Sequence, residues 1–277
     1  MLHVRNEANE SFIHIWQEAF GDTKEEIQGL LTACEGRARI LLWEEGGETA
    51  GQCVLVPAMF LGEPVWYLYA VATAVRFRRQ GICTKLLCSV KELLAQDGRA
   101  AVLVPADAAL AKFYEKRGFF PLFFGEKTMV IAEGNTVSRE HDEGVISHVD
   151  IADIDMEAYL NLREMAFREV PMIELPRSLL TYAIEQQLVC GGKLKKLLWN
   201  GREYGILCQR QGDSDILLKE LTAANRQEAR QAAAQFLFKL GEKKACLQRS
   251  YPTYAIGIDC TKLQSGKEQG YFNLVLD

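Results

Sequence analysis

The run Val71-Ala72-Thr73-Ala74-Val75-Arg76-Phe77-Arg78-Arg79-Gln80-Gly81-Ile82-Cys83-Thr84-Lys85-Leu86-Leu87 reads as the end of a strand, a basic turn with one glycine, and the start of a helix. The strand before the turn, Val65 to Thr73, is rich in β-formers. The helix after it runs from about Ile82 to Ala95, with Ile82, Leu86, Val90 and Leu93/Leu94 on one face and Lys85, Lys91 and Glu92 on the other. A helix N-terminus leaves backbone N–H groups unpaired and carries a partial positive charge. Such a turn is a natural cradle for phosphates. Gly81 would let the backbone approach a pyrophosphate closely, and Arg78 and Arg79 would supply counter-charge. The same arginines would equally serve as a solvated face. The sequence has neither a GxxxxGK[ST] loop nor a GxGxxG fingerprint, which removes the main support for nucleoside triphosphate or NAD binding.

Upstream of this run, Ser11–Phe20 has apolar residues at helical spacing, and Asp22-Thr23 cap a second helix, Lys24–Leu31. Strands are expected over Ala38–Trp43 and Thr49–Phe60, separated by the turn Glu44-Glu45-Gly46-Gly47. Downstream come a strand at Ala100–Val104, a short helix from Ala108 to Lys116, and two strands ending near Ile131. The stretch Glu133–Glu143 is polar and reads as a linker.

The succession then repeats. Helices are expected over Asp155–Phe167 and Pro176–Glu185, and strands over Leu194–Trp199, Glu203–Arg210 and Ser214–Leu221. A helix over Arg226–Leu240 and strands over Ala245–Arg249 and Tyr254–Leu276 complete it. The pattern predicts two similar α/β domains in tandem, each a mixed, mostly antiparallel sheet flanked by helices. Their expected bounds are 1–133 and 145–277, joined by a linker at 134–144.

Composition bounds the function. Hydrophobic residues make up 48% and charged residues 25%, a balance that supports a sizeable core. No apolar run reaches the roughly 18 residues a membrane helix needs, and the polar, acidic N-terminus has no signal-peptide core. The expectation is a cytoplasmic protein with no membrane partner. A net charge of −5 argues against nucleic acid as a general partner. The eight cysteines form no CxxC and stand outside metal-ligand spacing of the four histidines, so they read as reduced core residues and no metal is expected.

Arg78-Arg79-Gln80-Gly81-Ile82-Cys83 resembles the acetyl-CoA-binding signature [Q/R]-x-x-G-x-[G/A] of the GNAT N-acetyltransferases, with Cys83 in place of the second small glycine or alanine. Val71-Ala72-Thr73 sits where that family's pantetheine-binding strand ends. Farther along, Ala111-Lys112-Phe113-Tyr114-Glu115-Lys116-Arg117-Gly118-Phe119 looks like the family's second signature, a short helix closing on FYEKxGF. The resemblance covers roughly residues 1–132. Together with the GNAT-like second half, it is similar to the Eis-type acetyltransferases. Those enzymes carry a further C-terminal sterol-carrier-like domain, which this chain is expected to lack.

The resemblance implies an N-acetyltransferase with acetyl-CoA as co-substrate and a small-molecule or peptide amine as acceptor. It places Val71, Thr73, Arg78, Arg79, Gln80, Gly81, Ile82, Cys83 and Thr84 at the CoA, with the Val71 N–H polarising the thioester carbonyl. Tyr114 would be the general acid for the departing thiolate, or else a core tyrosine beneath the pantetheine arm. Glu63, Tyr67, Tyr69, a water-relayed route and the C-terminal carboxylate of Asp277 are the alternatives for removing the amine proton. The second half reads Leu221-Thr222-Ala223-Ala224-Asn225-Arg226-Gln227-Glu228 at the matching place, with no glycine and with an acidic residue beside the would-be phosphate. It is expected to be a degenerate domain, and its sheet edges suit a homodimer. A non-catalytic acyl-CoA-binding protein is the alternative function.

Overall fold

The computed structural model describes residues 1–132, 149–211, 215–257 and 271–273. The chain opens with β1 (Leu2–Arg5), α1 (Glu10–Phe20) and α2 (Lys24–Ala33). Asn9 caps α1 by accepting from the Phe12 N–H at 2.9 Å, and Thr23 forms a capping box with Glu26 on α2. Asp22, read as part of that cap, instead accepts from the Trp16 indole at 2.6 Å. Next come β2 (Arg39–Glu45), β3 (Glu48–Phe60), β4 (Glu63–Thr73), a 3-10 turn at Val75–Phe77, α3 (Ile82–Asp97), β5 (Ala100–Leu103), α4 (Ala108–Glu115), β6 (Phe120–Phe123) and β7 (Glu126–Ile131). The later elements are β8 (Val149–Asp153), α5 (Met156–Phe167), β9 (Ile173–Glu174), α6 (Arg177–Val189), β10 (Lys193–Trp199), β11 (Arg202–Gln211), β12 (Asp215–Leu221), α7 (Arg226–Leu240), β13 (Lys244–Ser250) and β14 (Thr253–Gly257).

Two sheets result. The first has strand order β1-β2-β3-β4-β5-β14-β6, with β9 pairing on β3; the second has order β7-β13-β12-β11-β10-β8. Each contains one parallel pair, β4–β5 and β12–β13 respectively, and is otherwise antiparallel. The fold is therefore two mixed α/β units, as the repeated succession of elements implies.

The units interleave along the chain. One comprises Met1–Phe124, Ile173–Tyr182 and Pro252–Glu268; the other comprises Gly125–Met172, Ala183–Tyr251 and Gln269–Asp277. Strand β14, read with the second half, lies between β5 and β6 of the first sheet, pairing Ala255 with Val102 and with Phe120. Strand β7, read with the first half, pairs antiparallel with β13 of the second sheet. Ladders are made by backbone groups common to every residue, so any exposed edge accepts a strand of the right length and the sequence does not name its partner. The short strands β1, β8 and β9 went unread because a few residues carry too little alternation to register. The expected linker and most of the long final strand fall outside the described residues.

Cys53, Leu55, Trp66, Leu86, Val90, Ala101, Tyr114, Phe119 and Ile256 form the core between the first sheet and α3–α4. In the second unit, Ala229, Ala232, Ala233, Phe236 and Leu237 pack α7 on Ile206, Leu218 and Leu247. Because β14 supplies Ile256 to the first core, residues 1–132 expressed alone should lack the cooperative thermal transition of the full chain. Circular dichroism melting tests this, and a fragment that melts as sharply as the full chain would overturn this account of the sheets.

Candidate functional site

Strand β4 leaves its parallel neighbour early. The β4–β5 ladder consists of Trp66↔Ala101 and Tyr67↔Val102; β5, with β14 paired along its other edge, ends at Leu103, while β4 continues to Thr73. Beyond that ladder the β3–β4 register shifts between Gln52 and Val54, which face Ala72 and Tyr69, so that Ala70 and Val71 together oppose Cys53. Ala70 has φ +50°. This is a β-bulge, a device that takes a residue out of the ladder and turns its backbone groups aside. The bulge lies three to four residues past the last β4–β5 pair, on the stretch of β4 that β5 does not reach.

The turn that follows leads directly onto α3. Arg79 and Gly81 both have positive φ, +63° and +79°, which curls the backbone into a concavity lined by N–H groups. Gly81 is the N-cap residue of α3 and provides no side-chain cap, and the first turn of that helix carries no acidic residue. By contrast, side chains of Asn9, Thr23, Asp107, Asp155 and Asn225 cap α1, α2, α4, α5 and α7. A Cβ built on Gly81 would meet nothing within 4 Å, so the space before the helix is open. An uncapped helix start of this kind suits an anion.

The basic residues divide their work. Arg76 pairs with Glu48 and lies over the Phe77 ring. Arg78 donates its Nε–H to the Thr73 carbonyl at 3.2 Å, and the Gln80 amide donates to the Arg76 carbonyl at 2.9 Å. Arg79 is exposed and forms no ion pair among the described residues. Arg78 likewise is exposed and forms no ion pair among the described residues. Ile82 is buried in the core, whereas Cys83 and Thr84 are half-buried on the first turn of α3. Burial pushes the Cys83 thiol up to about 11 against the pull of Arg117, so this cysteine stays protonated.

Tyr114, on α4, is 7% exposed and packs edge-on against Phe113 and Phe119. Burial raises its phenol well above the usual range, the Cys83 and Cys53 thiols add to the shift, and Arg117 opposes it. Its neighbour in the core is Cys53, the residue facing the bulge. The two tyrosines of β4 lie on the other face of the sheet, where Tyr69 meets Trp16 of α1 at 5.6 Å and Tyr67 meets Tyr69 at 5.5 Å. Gln52 shares that face and is fully buried, with neither its Oε1 nor its Nε2 hydrogen-bonded. Glu63 is exposed at the β3–β4 turn, about 26 Å along the strand from Val71 at the rise of an extended chain. Asp277 is outside the described residues.

One residue of the site carried no role in the sequence reading. Arg117 donates to Thr84 Oγ1 from Nε at 3.1 Å and from Nη2 at 2.6 Å, donates to the Phe113 carbonyl from Nη1 at 2.7 Å, and lies 3.4 Å from the Phe113 ring centroid. It fastens the end of α4 to the first turn of α3. An arginine inside a quoted signature was visible; its partner, 33 residues earlier, was not.

Residues 1–119 match the family model described as "Acetyltransferase (GNAT) family". This part of the chain is similar to that family. No curated protein matches the sequence. Among solved structures, the chain is similar to a conserved protein of unknown function from Enterococcus faecalis V583, described as a probable N-acyltransferase, with 12% identity over 94% of this chain and 73% of that one, and a TM-score of 0.69. It is also similar to a GCN5-related N-acetyltransferase from Kribbella flavida, with 15% identity over 96% and 74% and a TM-score of 0.64. Eis1 from Mycobacterium abscessus is similar at 16% identity over 94% and 66%, with a TM-score of 0.58. At these identities the likeness is one of fold, and it extends across both units.

The second GNAT-like unit repeats the frame with different contacts at the matching places. The β12–β13 ladder ends at Leu218↔Leu247, and just beyond it the Asn273 amide donates to both Lys219 O at 2.7 Å and Gln248 O at 3.3 Å. The gap between these parallel strands is thus bridged by the chain itself. Asn225 caps α7, and Glu228 in its first turn accepts from Arg202 at 2.8 Å and from the Tyr204 hydroxyl at 3.0 Å. A carboxylate on a capped helix repels an incoming phosphate. Beneath the bridge, Glu220 is fully buried and accepts from the Tyr159 hydroxyl at 2.6 Å, from Arg163 Nε at 2.9 Å and from the Tyr271 hydroxyl.

Removing the Glu220 charge would strand Arg163 in the core, so Glu220→Gln should cost about 3–5 kcal/mol in urea unfolding, and a loss below about 1 kcal/mol would contradict a buried pair of this kind. Burial first, then Glu220, raises the phenols of Tyr159 and Tyr271 far above the usual tyrosine range. In the unfolded chain these phenols ionise near pH 10, so their contribution is complete below that pH and is lost as pH rises beyond it. Tyr271→Phe should flatten the alkaline fall in stability.

Proposed function

We propose that the first unit is an acyl-CoA-dependent N-acyltransferase that moves an acetyl or other acyl group from acetyl-CoA to a primary amine by direct attack in a ternary complex. The observation that carries this reading is the coincidence of the β4–β5 parting, the Ala70–Val71 bulge and an uncapped α3 N-terminus on one GNAT frame. A pantetheine arm added along Tyr69–Thr73 would extend the sheet as a short strand, with the pyrophosphate on the first-turn amides of α3 and beside Arg79. The Val71 N–H at the bulge would donate to the thioester oxygen as negative charge develops on it.

The amine nitrogen bonds to the acyl carbon and the C–S bond breaks. Tyr114, held protonated by burial, gives its proton to the departing thiolate. The amine proton leaves on the α1 face, where Tyr67 and Tyr69 stand and where the buried Gln52 amide suits a water-relayed route. Glu63 is too distant to act. The second unit is a degenerate partner that takes no acyl-CoA, and the whole acts in the cytoplasm. Among the described residues no helix is long and apolar enough to cross a membrane.

Arg79→Glu should weaken acetyl-CoA binding at least about tenfold in isothermal titration, and a change under twofold would remove the arginine from the site. Wild-type protein that ignores millimolar acetyl-CoA would end the transferase reading. Once an amine acceptor is found, Tyr114→Phe should lower kcat about a hundredfold; an unchanged kcat would leave Tyr114 as a packing residue. A chain that binds acetyl-CoA but turns over no amine would be an acyl-CoA-binding protein.

A further inference from the structure

Thr84 is the third residue of α3, on the turn where the donor phosphates are placed above. A threonine hydroxyl has two acceptor lone pairs and one O–H. Arg117 approaches that oxygen from one side, with Nε and Nη2 donating together to Oγ1 at 3.1 Å and 2.6 Å. No described residue accepts the Thr84 O–H, although a threonine within a helix commonly donates it to the carbonyl one turn back. Arg117 itself is held by the Phe113 carbonyl and by its stack on the Phe113 ring, so it cannot follow the hydroxyl if that side chain turns away.

We infer that Arg117 is a positioning residue of the donor site. By donating to Thr84 Oγ1 from one side, it turns the O–H away from the guanidinium and toward an oxygen of the bound pyrophosphate. The inference rests on the donor site proposed above and adds to it a side-chain donor whose polarity is set by another residue. It also explains why a basic residue follows Lys116 at a place that packs against aromatic rings. A hydrophobic side chain there would fill the space and leave Thr84 free to rotate.

The test is a double-mutant cycle read by isothermal titration of the full chain with acetyl-CoA. Thr84→Val removes the hydroxyl at constant shape, and Arg117→Met removes the guanidinium while keeping a long side chain. Each should weaken binding about tenfold, and the double variant should bind about as weakly as either single one, because both remove the same hydrogen bond. Thr84→Ser should bind within about twofold of wild type, which shows that the hydroxyl is what matters rather than the fit of the first turn.

Losses that multiply to about a hundredfold in the double variant would mean that Arg117 acts on the ligand by itself, and the inference would be wrong. Binding within twofold of wild type in Arg117→Met, or in a well-folded Thr84→Val, would overturn it as well. These results leave the donor site standing. A wild-type chain that binds no acetyl-CoA brings down the donor site and the inference together.

Discussion

Parallel strands stay joined only while both keep the same register, and in the first unit β4 and β5 keep theirs for two pairs. Past that point β5 ends, at Leu103, while β4 runs on to Thr73, zipped to β3 and bulged at Ala70–Val71. Everything proposed for the site depends on this separation. It leaves the last residues of β4 beyond the end of β5, and β4 leads through a tight basic turn to the N-terminus of α3. A sheet that stayed closed would place the same residues on a solid surface.

The second unit carries a different arrangement at the matching place. Its parallel pair also ends after a few residues, yet Asn273 joins the two strands across the gap, and its helix start holds Asn225 and Glu228. The Glu220, Arg163, Tyr159 and Tyr271 cluster fixes this arrangement from below. A buried carboxylate with an arginine and two hydroxyls is satisfied in only one geometry, so it favours a single packing over a mobile cleft. The two units keep a common frame, and in the second the gap past the parallel pair is bridged by Asn273.

The sheet divides the chemistry of the first unit into two sides. Tyr114 lies with α3 and α4 on one face, in the same core as Cys53 and Leu55. Tyr69 lies with Trp16 of α1 on the other. An acyl carbon in the gap between β4 and β5 would be reached by the proton donor from one side and by the amine from the other. Such a division suits direct transfer, because the two proton movements do not compete for one group.

The local sequence was enough to determine every element around the site and the two signatures that resemble those of the GNAT family. Helical period, β-former runs, the lone glycine of the turn and the FYEKxGF segment are all short-range patterns, and they appear where the sequence places them. The sequence also showed the missing glycine and the acidic Glu228 of the second half. What it could not determine were relations between distant residues. The placement of β14 beside β5, the pairing of β7 with β13, the bond from Arg117 to Thr84 and the reach of Asn273 across two strands all join segments far apart in the chain. A backbone ladder and a side-chain hydrogen bond leave no periodic trace in the sequence, so only the folded chain decides which edge, and which hydroxyl, each group meets.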